Sequence, residues 1–143
     1  MDRYYTVRSL TPSQIDDLMT LYVSAWWATD RTRADVEAML DATSVVVGIA
    51  DRDDDDRLVA FARVLTDRTY VALVLDVIVT DDRRGRSLGA FLMENVLSQH
   101  ELRAVRSIEL VCQPEVTAFY ERWGFTADVG RSTLLRLTVS TPS

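Results

Sequence analysis

The apolar positions of the chain follow two spacings, one typical of helices and the other of strands. Thr11 followed by Pro12 predicts the start of a helix, because threonine caps helix N-termini and proline suits the first helical position. Apolar residues then recur on one helical face, ending in Tyr22 and Trp26. Further helices are predicted over residues 32–40, after residue 87, and from Pro114 to a stop at Gly124.

Six runs rich in β-branched and other apolar residues predict strands. They cover residues 4–10, 44–50, 58–65, 70–80, 107–112 and 133–139. In the order β-α-α-β-β-β-α-β-α-β, hairpins occur beside strand–helix–strand crossovers. This order favours an α/β (α+β) fold in which helices cover both faces of a mixed sheet.

Composition narrows the class of protein. A chain of 143 residues favours one domain over residues 1–143, and 48% hydrophobic with 27% charged residues excludes a disordered chain. The net charge of −6 argues against partners such as nucleic acid or an anionic membrane. No apolar run approaches the roughly 20 residues that span a bilayer, and no signal peptide is evident. We therefore expect a cytoplasmic protein.

The counts of chemically reactive residues exclude several kinds of site. With Cys112 and His100 each alone of their type, a disulfide within the chain and a His/Cys zinc cluster are both impossible, and the sequence offers no other obvious metal site. The acidic residues 51–57 lie between two predicted strands and lack the spacing of an EF-hand loop. They are interpreted as a solvated hairpin turn.

The segment with the most chemical information is the loop that follows the fourth predicted strand. It contains three arginines and two glycines and leads into an amphipathic helix. The first N–H groups of a helix lack partners and carry partial positive charge, and glycine allows an anion to approach the backbone. The loop therefore predicts a phosphate or pyrophosphate site. The alternative is a solvated turn. A P-loop is excluded because Gly-Lys-Ser/Thr is absent, and a dinucleotide-binding fingerprint is excluded because residues 85–89 do not give Gly-x-Gly-x-x-Gly.

Residues 77–89 resemble the acetyl-CoA-binding motif of the GCN5-related N-acetyltransferases, the GNAT superfamily. In that motif, Arg/Gln-x-x-Gly-x-Gly/Ala, Arg84 takes the first position and Gly89 the last. Residues 118–125 are similar to the family's Phe-Tyr-x-x-x-Gly-Phe signature, with Tyr120 at its tyrosine. One position departs from the pattern, because Ser87 stands where the family usually has glycine.

The resemblance implies a mostly antiparallel central sheet of about six to seven strands, with acetyl-CoA bound where two parallel strands diverge. Those strands are residues 73–80 and 107–112. The backbone groups expected to pair with the pantetheine arm are those of Val77, Ile78 and Val79. The residues expected at the pyrophosphate are Arg84, Gly85, Arg86, Ser87, Leu88 and Gly89. Small and able to cap a helix, Ser87 is expected to retain binding.

The resemblance also implies catalytic roles. Tyr120 is expected to protonate the departing CoA sulfur as general acid. Asp76 interrupts an apolar strand, which is costly unless it has a use, and is the first candidate for the base. Alternatively, Asp76 holds a cationic amine or pairs with Arg63. Glu109 is the rival candidate for the base, with water a third possibility.

In the family that the chain resembles, the first helix often lines the acceptor pocket, so Trp26 and Trp27 are candidates for substrate binding, together with Glu109. Trp26 also falls on the apolar stripe of the first helix, so Trp27, about 100° around the helix, is the better candidate.

The function predicted is acetyl-CoA-dependent N-acetyltransfer to a primary amine, with a small cationic amine favoured by the acidic composition. A protein amine is the other kind of acceptor, and a homodimer is plausible from the family. The alternative function is a catalytically idle, acyl-CoA-binding regulatory module. The third hypothesis is an α/β domain without either activity, in which the basic loop is merely solvated.

Overall fold

Five strands and four helices follow one another in the predicted order up to the last predicted strand. The structure is a computed structural model that describes residues 2–139. The strands are β1 Tyr4–Val7, β2 Val45–Asp51, β3 Arg57–Thr66, β4 Val71–Val79 and β5 Ser107–Leu110. The helices are α1 Pro12–Val23, α2 Arg33–Ala42, α3 Leu88–Leu97 and α4 Thr117–Glu121.

The sheet has the strand order β1-β2-β3-β4-β5. Its first four strands are antiparallel to their neighbours, and β4 and β5 are parallel because α3 crosses over between them. A mostly antiparallel mixed sheet is thus confirmed, but six to seven strands is wrong for the described residues. Residues 133–139 form no strand, and their side chains are exposed, Leu135 at 88%. A β-forming run without a neighbouring strand gains no ladder and little burial.

Helices cover both faces of the sheet, as predicted. On one face α1 and α2 pack against β3 and β4, with Leu18 and Tyr22 beside Phe61 and Ile78. On the other face α3 packs its apolar stripe of Leu88, Leu92 and Val96 against the sheet. Alternate side chains of a strand point to opposite faces, so β2 and β3 contribute to both cores.

The start of α1 is as predicted, but its end is not. Thr11 and Gln14 form a capping box, each side chain accepting from the other's backbone N–H. The helix ends at Val23, where Ser24 donates to the Leu21 carbonyl through its hydroxyl. Trp26 therefore lies beyond the helix and is 75% exposed, so its predicted place on the core stripe is wrong.

The chain divides after Val111 into two compact units. The five strands and α1–α3 belong to the first unit and α4 to the second. That residues 1–143 form one domain stays a prediction. Between residues 2 and 139, no helix is both long and apolar enough to cross a membrane. The cytoplasmic location likewise stays a prediction.

Candidate functional site

β4 and β5 pair over only part of their length. Their parallel register runs from Val71 with Ser107 to Val74 with Leu110. β5 ends there, whereas β4 continues to Val79. Within the described chain, residues 75–79 therefore have no strand beside them on the β5 side. We call this divergence the fork. The three residues predicted to pair with a pantetheine arm, Val77, Ile78 and Val79, lie along it.

A β-bulge in β4 coincides with the fork. Phe61 of β3 lies opposite Ile78, and Arg63 lies opposite Leu75, so one residue of β3 faces both Asp76 and Val77. Asp76 has a φ of 55°, in the left-handed region that non-glycine residues rarely adopt. Bulges bend a strand and end regular pairing. The bulge thus accounts for β4 leaving β5 directly after Val74.

The side chain of Asp76 forms the centre of a largely buried cluster. Its Oδ2 accepts from Nη1 of Arg31 at 2.6 Å, from Nε of Arg63 at 2.8 Å and from the hydroxyl of Tyr22 at 2.9 Å. Its Oδ1 accepts from Nη2 of Arg31 at 3.3 Å. The guanidinium of Arg31 also lies over the rings of Tyr22 and Trp27. We call Asp76, Tyr22, Arg31 and Arg63 the Asp76 cluster.

The cluster sets the proton affinity of its two acidic groups. Burial alone would raise the pKa of Asp76, but the hydrogen bonds from Arg31 and Arg63 outweigh it and leave the pKa below its usual range. Burial, together with the charge of Asp76, raises the pKa of Tyr22 above its usual range. Asp76 is therefore an ionised carboxylate whose lone pairs are largely occupied.

The loop between β4 and α3 is open to solvent over the residues predicted to hold a pyrophosphate. Arg84, Gly85, Arg86 and Ser87 are all exposed. Gly85 and Ser87 have φ angles of 78° and 61°, so the backbone turns through the left-handed region twice before the helix begins. The position of Ser87 at the N-cap of α3 is as predicted, but its side chain makes no capping hydrogen bond. The first N–H groups of α3 thus stay available.

Ion pairs with the acidic turn between β2 and β3 hold the same loop in place. Asp51 is fully buried and accepts from Arg83 at 2.5 Å and from Arg3 at 2.9 Å. Asp82 accepts from both Nη atoms of Arg57 at 3.1 Å. The prediction of a solvated turn is therefore wrong at Asp51, which is buried and binds Arg3 and Arg83. Hydrogen bonds from Arg3 and Arg83 hold its pKa well below the usual range.

In the second unit, Tyr120 of α4 belongs to an aromatic cluster. Its ring meets that of Phe119 edge-on with centroids 5.0 Å apart and that of Phe125 at 6.1 Å. Gly124, with a φ of 91°, makes the turn after the helix that brings Phe125 back. Burial, with a smaller effect of Cys112, raises the pKa of Tyr120 to about 12. The phenol is therefore protonated at neutral pH.

The remaining predicted residues are placed separately. Glu109 lies on β5 opposite Leu73, before the fork, and is exposed with its carboxylate accepting from Ser107 at 3.1 Å. Trp27 packs edge-on against Tyr22 with centroids 6.2 Å apart, which places it beside the Asp76 cluster. Trp26 makes no such contact among the described aromatic pairs.

Sequence reasoning missed Arg31 and the hydroxyl of Tyr22 as partners of Asp76. The signal in the sequence is indirect, because a carboxylate in an apolar strand needs a cation and the neighbouring strand offers Arg63. Nothing in the spacing of Arg31, which lies between α1 and α2, points to a strand 45 residues away. In the part of the chain that the structure describes, no group of His, Cys, Asp and Glu residues is arranged to hold a metal ion.

Comparison with known proteins gives consistent matches. Residues 43–127 match the family described as acetyltransferase (GNAT) domain. Ycf52 of Porphyra purpurea, an uncharacterized N-acetyltransferase, is 30% identical over 113 residues, which cover 78% of this chain and 64% of that protein. The chloroplastic serotonin N-acetyltransferase 2 of Oryza sativa subsp. japonica is 38% identical over 72 residues, which cover 50% of this chain and 36% of that protein.

A solved structure agrees with the sequence matches. A Xanthomonas campestris protein assigned to the GNAT family is 30% identical and superposes with a TM-score of 0.77, covering 94% of each chain. The chain spans less than two thirds of the length of the two curated relatives, at 64% and 36%.

Proposed function

Because the chain belongs to the GNAT acetyltransferase family, we propose that it transfers the acetyl group of acetyl-CoA to a primary amine. The observation that carries the proposal is the fork between β4 and β5. It leaves a strand edge free to pair with an extended ligand, as an added strand would. β4 then leads directly into the exposed basic loop and the start of α3.

The loop fits a pyrophosphate by its shape and its donors. No atom lies within 4 Å of the point where a Cβ on Gly85 would stand, so an oxyanion can approach the backbone there. The guanidinium of Arg86 is exposed and forms no ion pair within the described chain, and that of Arg84 pairs only with the exposed Asp81. Together with the N–H groups at the start of α3, these residues supply charge and directed donors.

The reaction forms one bond and breaks another. Acetyl-CoA supplies an activated thioester, on whose carbonyl carbon the amine nitrogen attacks, forming the C–N bond as the C–S bond breaks. The nitrogen gives up one proton, and the departing sulfur takes one. Tyr120 is proposed to donate that second proton. A phenol with a pKa raised to about 12 keeps its proton at neutral pH until a strong acceptor forms beside it.

Asp76 is proposed to position the two arginines rather than to act as the base. Its pKa is lowered and four hydrogen bonds occupy its oxygens, so it competes poorly for the proton of an ammonium group. Glu109 or a water molecule is then left to receive the proton.

The role of Tyr120 is tested by Tyr120→Phe. Loss of a general acid is expected to reduce kcat by about 10²-fold or more, with the affinity for acetyl-CoA nearly unchanged. Steady-state kinetics and calorimetry measure the two quantities. Tyr70→Phe removes a phenol from an exposed position and serves as the matched control. An unchanged kcat in Tyr120→Phe would show that another group protonates the sulfur.

The acceptor class is proposed as a small amine. The net charge of −6 favours a cationic one, and a relative is named for acetylating serotonin, an arylalkylamine. The decisive assay follows free thiol released from acetyl-CoA in the presence of arylalkylamines, polyamines and peptides with free N-termini. Calorimetric binding of CoA without thiol release from any amine would favour the idle regulatory module. A homodimer stays a prediction.

A further inference from the structure

The Asp76 cluster contains more positive charge than its carboxylate neutralises. Arg31 and Arg63 each form one ion pair, and in both cases the partner is Asp76. No other carboxylate of the described residues is within ion-pair distance of either guanidinium. The three charged groups therefore sum to one positive charge, held in side chains that are only 26% and 15% exposed for Arg31 and Arg63.

Arg63 also has hydrogen-bond donors to spare. Its Nε binds Asp76, whereas its Nη1 and Nη2 have no partner among the described residues. These two nitrogens are accessible to solvent. Among the described residues, the buried side-chain atoms without a hydrogen-bond partner are Arg33 Nε and Glu101 Oε1, and neither Nη atom of Arg63 is one of them. A guanidinium with two parallel N–H donors unoccupied matches the two oxygens of a carboxylate or phosphate.

The position of Arg63 places these donors beside the fork. Arg63 lies opposite Leu75 across the β3–β4 ladder, and Leu75 directly follows the last β4–β5 pair, Val74 with Leu110. Neighbouring strands are about 4.8 Å apart, so Arg63 lies one strand away from the opening. An acceptor whose amine reaches into the fork therefore has its nearest substituents within reach of this guanidinium.

We propose that the acceptor amine carries an oxyanion, a carboxylate or a phosphate, which Arg63 binds through Nη1 and Nη2. The inference rests on the proposed acetyltransferase function and refines its substrate class. It departs from what the overall charge of −6 suggests. Salt screens charges that are more than about 8–10 Å away, so the local surplus at the fork governs a small molecule bound there.

The test uses matched pairs of amines that differ by the anionic group alone. 5-Hydroxytryptophan is compared with serotonin, and phosphoethanolamine with ethanolamine, by thiol release from acetyl-CoA. In at least one pair the anionic member is expected to have a kcat/KM roughly 10- to 100-fold higher, the range that a charge-assisted hydrogen bond supplies. The first pair identifies a carboxylate and the second a phosphate.

Arg63→Gln assigns the effect to one side chain. Glutamine still donates to Asp76 but lacks the charge, so the kcat/KM advantage of the anionic member over its matched partner is expected to vanish. Arg103→Gln, at an exposed arginine, is the control.

Three outcomes would overturn the inference. No preference in wild type contradicts the substrate class, and a preference that survives Arg63→Gln contradicts the residue. If none of the amines causes thiol release from acetyl-CoA, the proposed acetyltransferase function fails as well. That result is distinguishable from the first two, in which thiol is still released.

Discussion

Asp51 and Asp76 are both carboxylates on strands of one sheet, and each accepts hydrogen bonds from two guanidinium groups. Around Asp51 the carboxylates outnumber the guanidinium groups, and we call these ion-paired residues the Asp51 cluster. Its members are Arg3, Arg57 and Arg83 against Asp51, Asp53, Asp54 and Asp82. Around Asp76 two arginines face one carboxylate. The Asp51 cluster has a carboxylate for every guanidinium and anchors a loop, whereas the Asp76 cluster has a surplus guanidinium whose donors are left for a ligand. The comparison teaches that the sign of the charge surplus, more than burial, separates the two roles.

Breaking the Asp51 cluster has the largest expected effect. Asp51→Asn removes the fully buried counter-charge of Arg83, which is only 8% exposed and keeps Asp54 and Asp82 as partners. The free energy of unfolding is expected to fall by about 3 kcal/mol at neutral pH, the low end for buried pairs that lose one partner. Chemical denaturation measures it. Asp53→Asn, at a carboxylate that is 71% exposed, is the control and should stay close to wild type.

The pKa of Asp51 gives this prediction a pH signature. Its pKa is lowered from the 3.8 of an ordinary aspartate, so its stabilisation is complete above pH 3.8 and is lost as the pH falls below that value through the folded-state pKa. The difference between wild type and Asp51→Asn should therefore shrink in acid. A difference that is independent of pH down to acid unfolding would contradict a charge-based anchor.

Asp76→Asn affects the Asp76 cluster and is expected to cost less. Arg31 and Arg63 retain partial access to water, so about 1–3 kcal/mol of stability is lost, the cost of a charged hydrogen bond left unmade. The pH dependence of kcat/KM distinguishes a positioning role of Asp76 from a role as general base.

If Asp76 positions the arginines, the fall of kcat/KM at acid pH persists in Asp76→Asn. Disappearance of that fall with a loss of about 10²-fold or more would return Asp76 to the role of base.

The fold was largely predictable because its signals are local. The Thr11 cap, the apolar runs of β2 to β4 and the glycine after α4 each depend on neighbouring residues. The errors lie where a distant partner decides. Residues 133–139 have the composition of a strand but no neighbour to pair with, and Trp26 continues a helical stripe beyond the helix that Ser24 ends.

The candidate site shows the same division. The basic loop and its helix start could be found from arginine and glycine spacing, since both lie in one short segment. The partners of Asp76 could not, because Arg31 and Tyr22 come from elements 45 and 54 residues away. The left-handed conformation of Asp76 was equally hidden, because it follows from a register shift between β3 and β4.

The smallest expected effect belongs to the loop that the Asp51 cluster anchors. Ser87 has a φ of 61°, which costs an L-residue about 1–2 kcal/mol, and its hydroxyl makes no capping hydrogen bond in return. Ser87→Gly relieves that strain, although glycine makes the unfolded chain more flexible. We expect a net gain of about 0.5–1 kcal/mol in the free energy of unfolding. Ser13→Gly, within the first turn of α1, carries no such strain and should lose stability instead.

Wild type and Ser87→Gly can also be compared for CoA binding, which tests whether the loop is held by its anchor or by the Ser87 side chain. If the loop is held by Arg83 and Asp51 beneath it, Ser87→Gly changes stability while its backbone keeps its course, and calorimetry should show CoA binding at least as tightly as in wild type. Weaker binding would mean that the serine hydroxyl itself donates to the pyrophosphate. If neither wild type nor Ser87→Gly gave a binding heat with CoA, acetyl-CoA would no longer be the ligand proposed for this loop. The exposed loop with two left-handed residues at the end of β4 would then have no functional explanation.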